Sequence, residues 1–439
     1  MTAILLIVGL LLLNLIKRVK MDLTSRRMLN LFVMYWILSI VLASLHVYNL
    51  RDINSFTYVL LYLNVFSFCF GFLFVARKRK DNISVDVNDV SKQMLRVSDS
   101  VFYKIVLIGA SIYTYTLLVV FFGKIMFYGT LSDVRTDYFE GEMYGPFFAQ
   151  INTFILQPIY LITLPIFAYL CLYKRNWTCL VAGFYLFGYA SISGGRLDYV
   201  RIAISILFIA YCILRTFKDN KRRGYAVAVV GAVIMFLLLV LVSGARMGEI
   251  GNANGHSVGV QTAAEHLITY TAGPIAAFDY SIENDYSKFV NGYQYGNLTL
   301  TQVISAINLF TSRLGFRFPI ALDTFVEYKQ EMYISIAPDL NYWNALYTSN
   351  LYFFNDFGVF GVILFPFLFG LLISSLINKM YKYNSFPLLV ILCFCFWCMM
   401  SSVLDYFFVS PYVFITLVIL YIIGTRKKYL LNRVAKKLS

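Results

Sequence analysis

The feature that most constrains this chain is a succession of apolar runs, each close to the length that crosses a bilayer. About 18 or more apolar residues in a row span a hydrocarbon core as a helix. Lipid offers no hydrogen bonds, so a spanning backbone must be helical or a closed barrel. Barrel strands read as alternating segments of about ten residues, whereas the runs here are continuous, as in "LLIVGLLLLNLI" and "VLLYLNVFSFCFGFLFVA". Charged residues make up 14% of the chain, against about 25% in a soluble domain. The expected fold class is therefore an all-α polytopic membrane protein. The runs predict eleven spans: 2–16, 31–50, 56–76, 103–123, 147–172, 178–194, 197–214, 225–242, 357–377, 386–404 and 411–425.

A formal charge of +14 raises the question of nucleic acid, and its distribution answers it. The segments 17–30, 77–102, 173–177, 215–224, 378–385 and the tail from 426, with Lys104, hold 27 of the 37 Lys and Arg and 6 of the 23 acids. The opposite side holds the remaining 10 basic and 17 acidic residues, so the two sides carry +21 and −7. Lys and Arg accumulate on the cytoplasmic side. The basic excess is thus a topology signal, with the C-terminus inside and, after eleven spans, the N-terminus outside. No nucleic-acid partner is expected. The first run lacks a basic segment before it and a small-residue cleavage site after it, and reads as a retained helix.

Two connections are long. The cytoplasmic loop 77–102 is polar, without a clear apolar face, and reads as a linker. The outer loop 243–356 covers over a hundred residues and carries its own pattern; loops of that length are usually functional. Within it, 258–280 reads as a helix ended by Gly273-Pro274, 298–316 as an amphipathic or re-entrant helix, and 341–358 as the lead into the ninth span. A shorter outer loop occupies 124–146. The seven cysteines all fall in apolar spans. Those of "CFCFWC" point to different helix faces and have no His or acid beside them, which favours packing over metal binding. No metal or other cofactor is expected.

The outer side holds seven Arg and only three Lys. Arg binds phosphate and carboxylate through two parallel bonds. Spans six and eight end in matching stretches, "SGGR" at 193–196 and "SGAR" at 243–246. Their glycines permit close backbone approach, and the seventh helix begins directly after Arg196, where first-turn N–H groups favour an anion. Arg196 and Arg246 are the leading candidates for ligand contact, with an interhelical ion pair as the alternative for Arg196 and pairing with Glu249 as the alternative for Arg246. Asp198 and Arg201 are three apart and able to pair with each other. Arg313 and Arg317 share a face if helical, and two like charges there call for an anion between them. Arg135 sits among acids, where a solvated salt bridge and a ligand contact are equally open. His256 and His266 are candidate general bases, with Asp198, Glu265, Asp279 and Asp356 as rival carboxylates. The stretch 356–370, with its glycines and Pro366, reads either as a seam for a lipid tail or as close helix packing through small residues.

"GTLSDVRTDYF", "SISGGRLDYVR", "SGAR", "YTAGPIAAFDY", "NGYQYGNLTL" and "NALYTSNLYFFNDFGVFGVIL", in that order across roughly 130–370, resemble the O-antigen or oligosaccharide repeat-unit polymerases (Wzy-type), integral-membrane glycosyltransferases of the GT-C kind. The resemblance implies a GT-C-like bundle of about eleven helices with one large periplasmic loop containing short helices. It implies residence in the bacterial inner membrane, N-terminus periplasmic and C-terminus cytoplasmic. It implies transfer of a growing glycan from its undecaprenyl diphosphate onto a new lipid-linked repeat unit, without a metal. It implies membrane lipid as a further partner and leaves a chain-length regulator open. Arg196, Arg246, His256, His266 and Asp198 become the catalytic candidates, and Arg135, Arg313, Arg317, Tyr199 and Asp356 the substrate-binding ones. The rivals are an O-antigen ligase, whose outer-loop histidine motif is not evident, and a lipid-linked oligosaccharide flippase, which needs charges in mid-membrane.

Overall fold

The computed structural model describes residues 2–46, 50–76, 87–128, 145–173, 176–192, 197–213, 260–283, 292–321, 346–408 and 410–438. The described residues are predominantly helical, with no strand among them. The helices are α1 (Thr2–Arg18), α2 (Leu23–Ser44), α3 (Ser55–Ala76), α4 (Val87–Asp99), α5 (Val101–Tyr128), α6 (Gly145–Ile151), α7 (Gln157–Tyr173), α8 (Trp177–Ile192), α9 (Leu197–Leu207), α10 (Val260–Glu283), α11 (Thr301–Thr311), α12 (Ser349–Tyr383), α13 (Phe386–Ser401) and α14 (Pro411–Leu438). Among the described residues, five segments are long and apolar enough to cross a membrane: α2, α3, Val101–Phe127, Asn152–Tyr173 and α12. Trp177–Ile192, Phe386–Ser401 and Pro411–Thr425 are shorter apolar helices. The predicted run 225–242 lies outside the described residues, and the other ten coincide with helices over most of their described residues.

The chain divides into two compact units. The first comprises Met1–Ile83, Ala264–Lys379 and Cys398–Ile419. Its α2 starts eight residues before the predicted run because Asp22 caps it, accepting from the Ser25 backbone N at 3.1 Å and from Ser25 Oγ at 2.5 Å. Such a cap satisfies N–H groups that a helix start leaves open. α2 packs on α1 through Gly9, where a Cβ would fall 2.5 Å from Ile37 Cδ1. Phe32 meets Phe68 of α3 with ring centroids 4.0 Å apart. The Trp36 indole N–H donates to Ser402 Oγ at 3.1 Å, and the buried amides of Asn64 and Asn350 bond to each other. α3 approaches α12 so closely that a Cβ on Gly71 would overlap the Phe367 carbonyl, and one on Gly370 that of Phe68.

α12 begins well before its predicted span and bends at Phe357 (φ −145°) and Gly358 (φ +59°). Residues 349–356 thereby fold against the helix beyond the bend: Phe353 stacks on Phe365 at 5.5 Å, and a Cβ on Gly361 would overlap the Phe353 carbonyl. Gly361 and Gly370 therefore serve close packing. α10 does not stop at Gly273-Pro274 as the sequence suggests; it runs on to Glu283. A proline inside a helix removes one hydrogen bond, but Ala272 and the run Ile275–Phe278 are fully buried, and that burial holds the helix through the break.

The second unit comprises Ser84–Ala263, Met380–Trp397 and Leu420–Ser439. The expected linker 77–102 contains α4, with Val90, Ser91, Met94 and Ser98 buried on one face. Two of its four buried residues are serines, which hides the stripe from a purely apolar count. Gln93 accepts from the Phe386 N–H at 3.2 Å and donates to the Asn384 carbonyl at 2.7 Å, while Thr178 donates to the Ser98 carbonyl at 3.4 Å. All of these join segments that the charge count places on the basic side. In the first unit, Thr2 with Ser44 (3.3 Å), Arg51 with Glu283 (2.5 Å) and Tyr406 with the Thr299 carbonyl (2.7 Å) join segments of the acid-rich side.

Candidate functional site

The second unit gathers its polar and aromatic side chains where α8 ends and α9 begins. α9 opens at Leu197 with Asp198 in its first turn, a position where a carboxylate meets the positive end of the helix dipole. One helical turn on, Arg201 Nη1 lies 3.3 Å from Asp198 Oδ1. The guanidinium also lies 4.0 Å over the Trp397 ring and 5.6 Å from the Tyr160 centroid. The pairing of Asp198 with Arg201 is thus as the spacing allows, and the two aromatic faces are the additional element. The Arg201 side chain remains 22% exposed.

Phenols from α7 and α8 build the surrounding wall. Tyr160 donates to the Asp198 carbonyl at 3.0 Å, and its ring lies 4.6 Å from that of Tyr189. Between α6 and α7 the chain widens into one π turn, Asn152–Leu156, a form that frees backbone carbonyls and recurs at functional sites. Tyr185 donates to the Leu156 carbonyl at 2.8 Å and Tyr189 to Asn152 Oδ1 at 2.9 Å. The Tyr199 and Ser191 hydroxyls are 2.5 Å apart, which ties α9 to the last turn of α8. Tyr199 therefore sits at this site by both sequence and geometry. Sequence alone does not single out Tyr160 and Trp397. Each lies in an unbroken apolar run, and Trp397 is nearly two hundred residues from Arg201.

The remaining candidates lie elsewhere. Arg135, Arg196, Arg246 and His256 are outside the described residues. His266 and Glu265 lie on α10, and their side chains are not described. In the first unit, Asp356 is buried, and its carboxylate accepts from the Leu298 N–H at 3.1 Å and the Thr299 N–H at 2.7 Å. It pins the segment leading into α11. Arg313 and Arg317 are exposed and do not share a helix face: α11 gives way to a 3-10 turn at Ser312–Leu314, and Gly315 (φ +82°) ends it. The left-handed glycine sends the chain off the helix axis between the two arginines.

Asp279, a rival carboxylate, is fully buried on α10 in the first unit. It accepts from Thr57 Oγ1 at 2.5 Å and the Asn54 N–H at 3.0 Å. Arg51 Nε stands 3.8 Å from it, while the same guanidinium reaches Glu283 and lies 4.9 Å over Tyr280. Burial pushes the Asp279 carboxyl above its ordinary value, against the opposing pull of these hydrogen bonds and of Arg51. In the sequence Arg51 is simply one of the outer arginines, and nothing in the linear order pairs it with residues 279–283.

Comparison with family models, with curated protein sequences and with solved structures gives no match.

Proposed function

We propose that this protein is a membrane glycosyltransferase that polymerises undecaprenyl-diphosphate-linked oligosaccharide repeat units on the outer side of a bacterial inner membrane. In this reading the bundle has eleven spans and a GT-C-like arrangement, with the N-terminus periplasmic and the C-terminus cytoplasmic. The observation that carries it is the start of α9. Asp198 is balanced by Arg201 at 3.3 Å, and Arg196 immediately precedes α9 in the sequence. A guanidinium at a helix start on the acid-rich side suits an anionic ligand. Tyr189 and Tyr199, half-buried in front of the fully buried Tyr160, suit the apolar faces of sugar rings.

The chemistry requires little more. An acceptor hydroxyl attacks the anomeric carbon of the donor glycan, and its proton passes to a base. The bond from that carbon to the diphosphate oxygen breaks, and the lipid diphosphate leaves with the electron pair. Fixed positive groups stabilise the charge that develops there, the part assigned to Arg196 and Arg246, with Arg135 on the substrate. His256 and His266 are the candidate bases, since imidazole titrates near neutral pH. Asp198 is held by Arg201, and its part is to position the first turn of α9.

Purified protein in liposomes, given a lipid-linked repeat unit, should build a ladder of products without ATP. Arg196→Ala and Arg246→Ala should abolish the ladder at unchanged expression, and near-wild-type ladders from either variant would remove that arginine from diphosphate contact. Passage of intact substrate across the bilayer without a ladder would establish a flippase instead. Transfer of a single glycan onto a lipid A core would establish a ligase. A topology reporter fused after Gly195 should report the outer side, and a cytoplasmic signal would overturn the orientation.

A further inference from the structure

The tip of α11 is built as a rigid apolar projection carrying two guanidinium groups. α11 buries Thr301, Gln302, Ala306 and Asn308 against the first unit. Its other face and the turn beyond it expose Phe310, Leu314, Phe316 and Phe318, between 52% and 74% each. Exposed aromatics in such density are unusual on a water-facing surface.

The projection is held in one shape. The Gly315 N–H donates to the Ser312 carbonyl at 3.2 Å and the Phe316 N–H to the Thr311 carbonyl at 3.1 Å. These two bonds around a left-handed glycine form a Schellman closure. The buried Asn308 side chain then clamps the returning chain: its amide donates to the Phe318 carbonyl at 2.8 Å, and its oxygen accepts from the Phe318 N–H at 2.9 Å. Little ordering entropy remains to be lost when this tip meets a partner. Its charge is one-sided. Arg313 and Arg317 are both exposed, and no acid lies between Leu300 and Ala321.

We infer that this tip inserts into the bilayer surface beside the protein, with its aromatic and leucine side chains at the acyl–headgroup boundary and Arg313 and Arg317 on lipid phosphates. Charge complementarity selects the occupant: rings with apolar bodies settle at that boundary, and guanidinium binds phosphate in pairs of parallel bonds. A second protein surface would leave two cations to be matched by acids, whereas a phospholipid surface supplies anions at every position. The inference does not depend on the polymerase reading.

The test places benzoylphenylalanine at Phe316 in the full-length protein, reconstituted in phosphatidylethanolamine–phosphatidylglycerol vesicles, and identifies photo-adducts by mass spectrometry. Phospholipid adducts are expected. Arg313→Glu with Arg317→Glu should lower their yield by about 25-fold or more, since each of the two cations near an anionic surface contributes roughly a fivefold bias, while Arg→Lys at both positions should retain most of it. The same label at Phe360, an exposed residue of α12, should give unchanged lipid adducts in every variant and so show that the bundle remains inserted. Adducts to another peptide segment, or a yield indifferent to the Glu substitutions, would overturn the inference. Adducts confined to an added lipid diphosphate oligosaccharide would overturn it too and assign the tip to substrate.

Discussion

The guanidinium of Arg201 lies 4.0 Å over the indole of Trp397, while its Nη1 meets Asp198 at 3.3 Å. One face of the cation is thus occupied by an aromatic ring and one edge by a carboxylate. Arg201→Ala should cost about 1–2 kcal/mol, the size of a partly desolvated cation–π contact, and should lower the melting temperature in detergent. Arg201→Lys should recover part of this, because a compact ammonium keeps the charge but not the planar stack. Arg196→Ala should leave the melting temperature unchanged while removing product. Equal melting losses for the two alanine variants would show that Arg196 also holds the fold together.

Asp356 is expected to act through the chain it holds. Its two carboxylate oxygens accept from Leu298 and Thr299, and charge-assisted bonds of this kind are stronger than neutral ones. Asp356→Asn replaces one acceptor with an amide that faces a backbone N–H, so it should destabilise by about 2–3 kcal/mol. Hydrogen exchange should rise at residues 296–300 before it rises in α12. Unchanged exchange there would refute the pinning role.

Gly358 and Gly361 should resist substitution for different reasons. Gly358 sits at φ +59°, and a Cβ there would come 2.7 Å from the Tyr293 hydroxyl. Alanine should cost about 1–3 kcal/mol in backbone strain, with some relief if Tyr293 moves. At Gly361 the obstacle is the Phe353 carbonyl, which belongs to backbone and cannot rotate away, so Gly361→Ala should be the worse of the two. Gly109→Ala, with nothing within 4 Å of the added carbon, should be neutral or slightly stabilising by helix propensity. Thermal melts of the three variants rank them directly.

Asp279 should give a readable pH dependence. Because burial raises its folded pKa, the native state binds the proton more tightly than the unfolded chain does. Its contribution is therefore fully present below the unfolded value, about pH 4, and is lost as pH rises through the folded value. The melting difference between wild type and Asp279→Asn should favour wild type most at about pH 4 and shrink toward about pH 7. A difference that grows with pH would mean that Arg51 outweighs burial.

Sequence reading locates the apolar spans because composition alone dictates them: a run such as 59–76 has no soluble alternative. It also locates the Asp198–Arg201 pair, which needs only helical spacing. It misses α4, whose buried stripe mixes Ser91 and Ser98 with Val90 and Met94, and it stops α10 at a Gly-Pro pair that tertiary burial carries through. It treats Arg313 and Arg317 as neighbours on one helix, although Gly315 between them is a common helix terminator. The least legible contacts are Arg201 with Trp397, Arg51 with Glu283 and Asn64 with Asn350. Each joins residues hundreds of positions apart, or nearly so, and no local pattern marks the partner.

The bond between Trp36 and Ser402 spans 366 residues. Ser349, whose N–H donates to the Ser402 carbonyl at 2.9 Å, begins the half-helix that also supplies Asn350 to Asn64. The first unit therefore cannot close in the order in which it is made. α2 and α3 enter the membrane with an indole N–H and a carboxamide awaiting donors and acceptors that the ribosome delivers last. A nascent chain halted before residue 349 is expected to present both groups to lipid, and so to the membrane proteases that survey unassembled helices, even though its early spans are already in place.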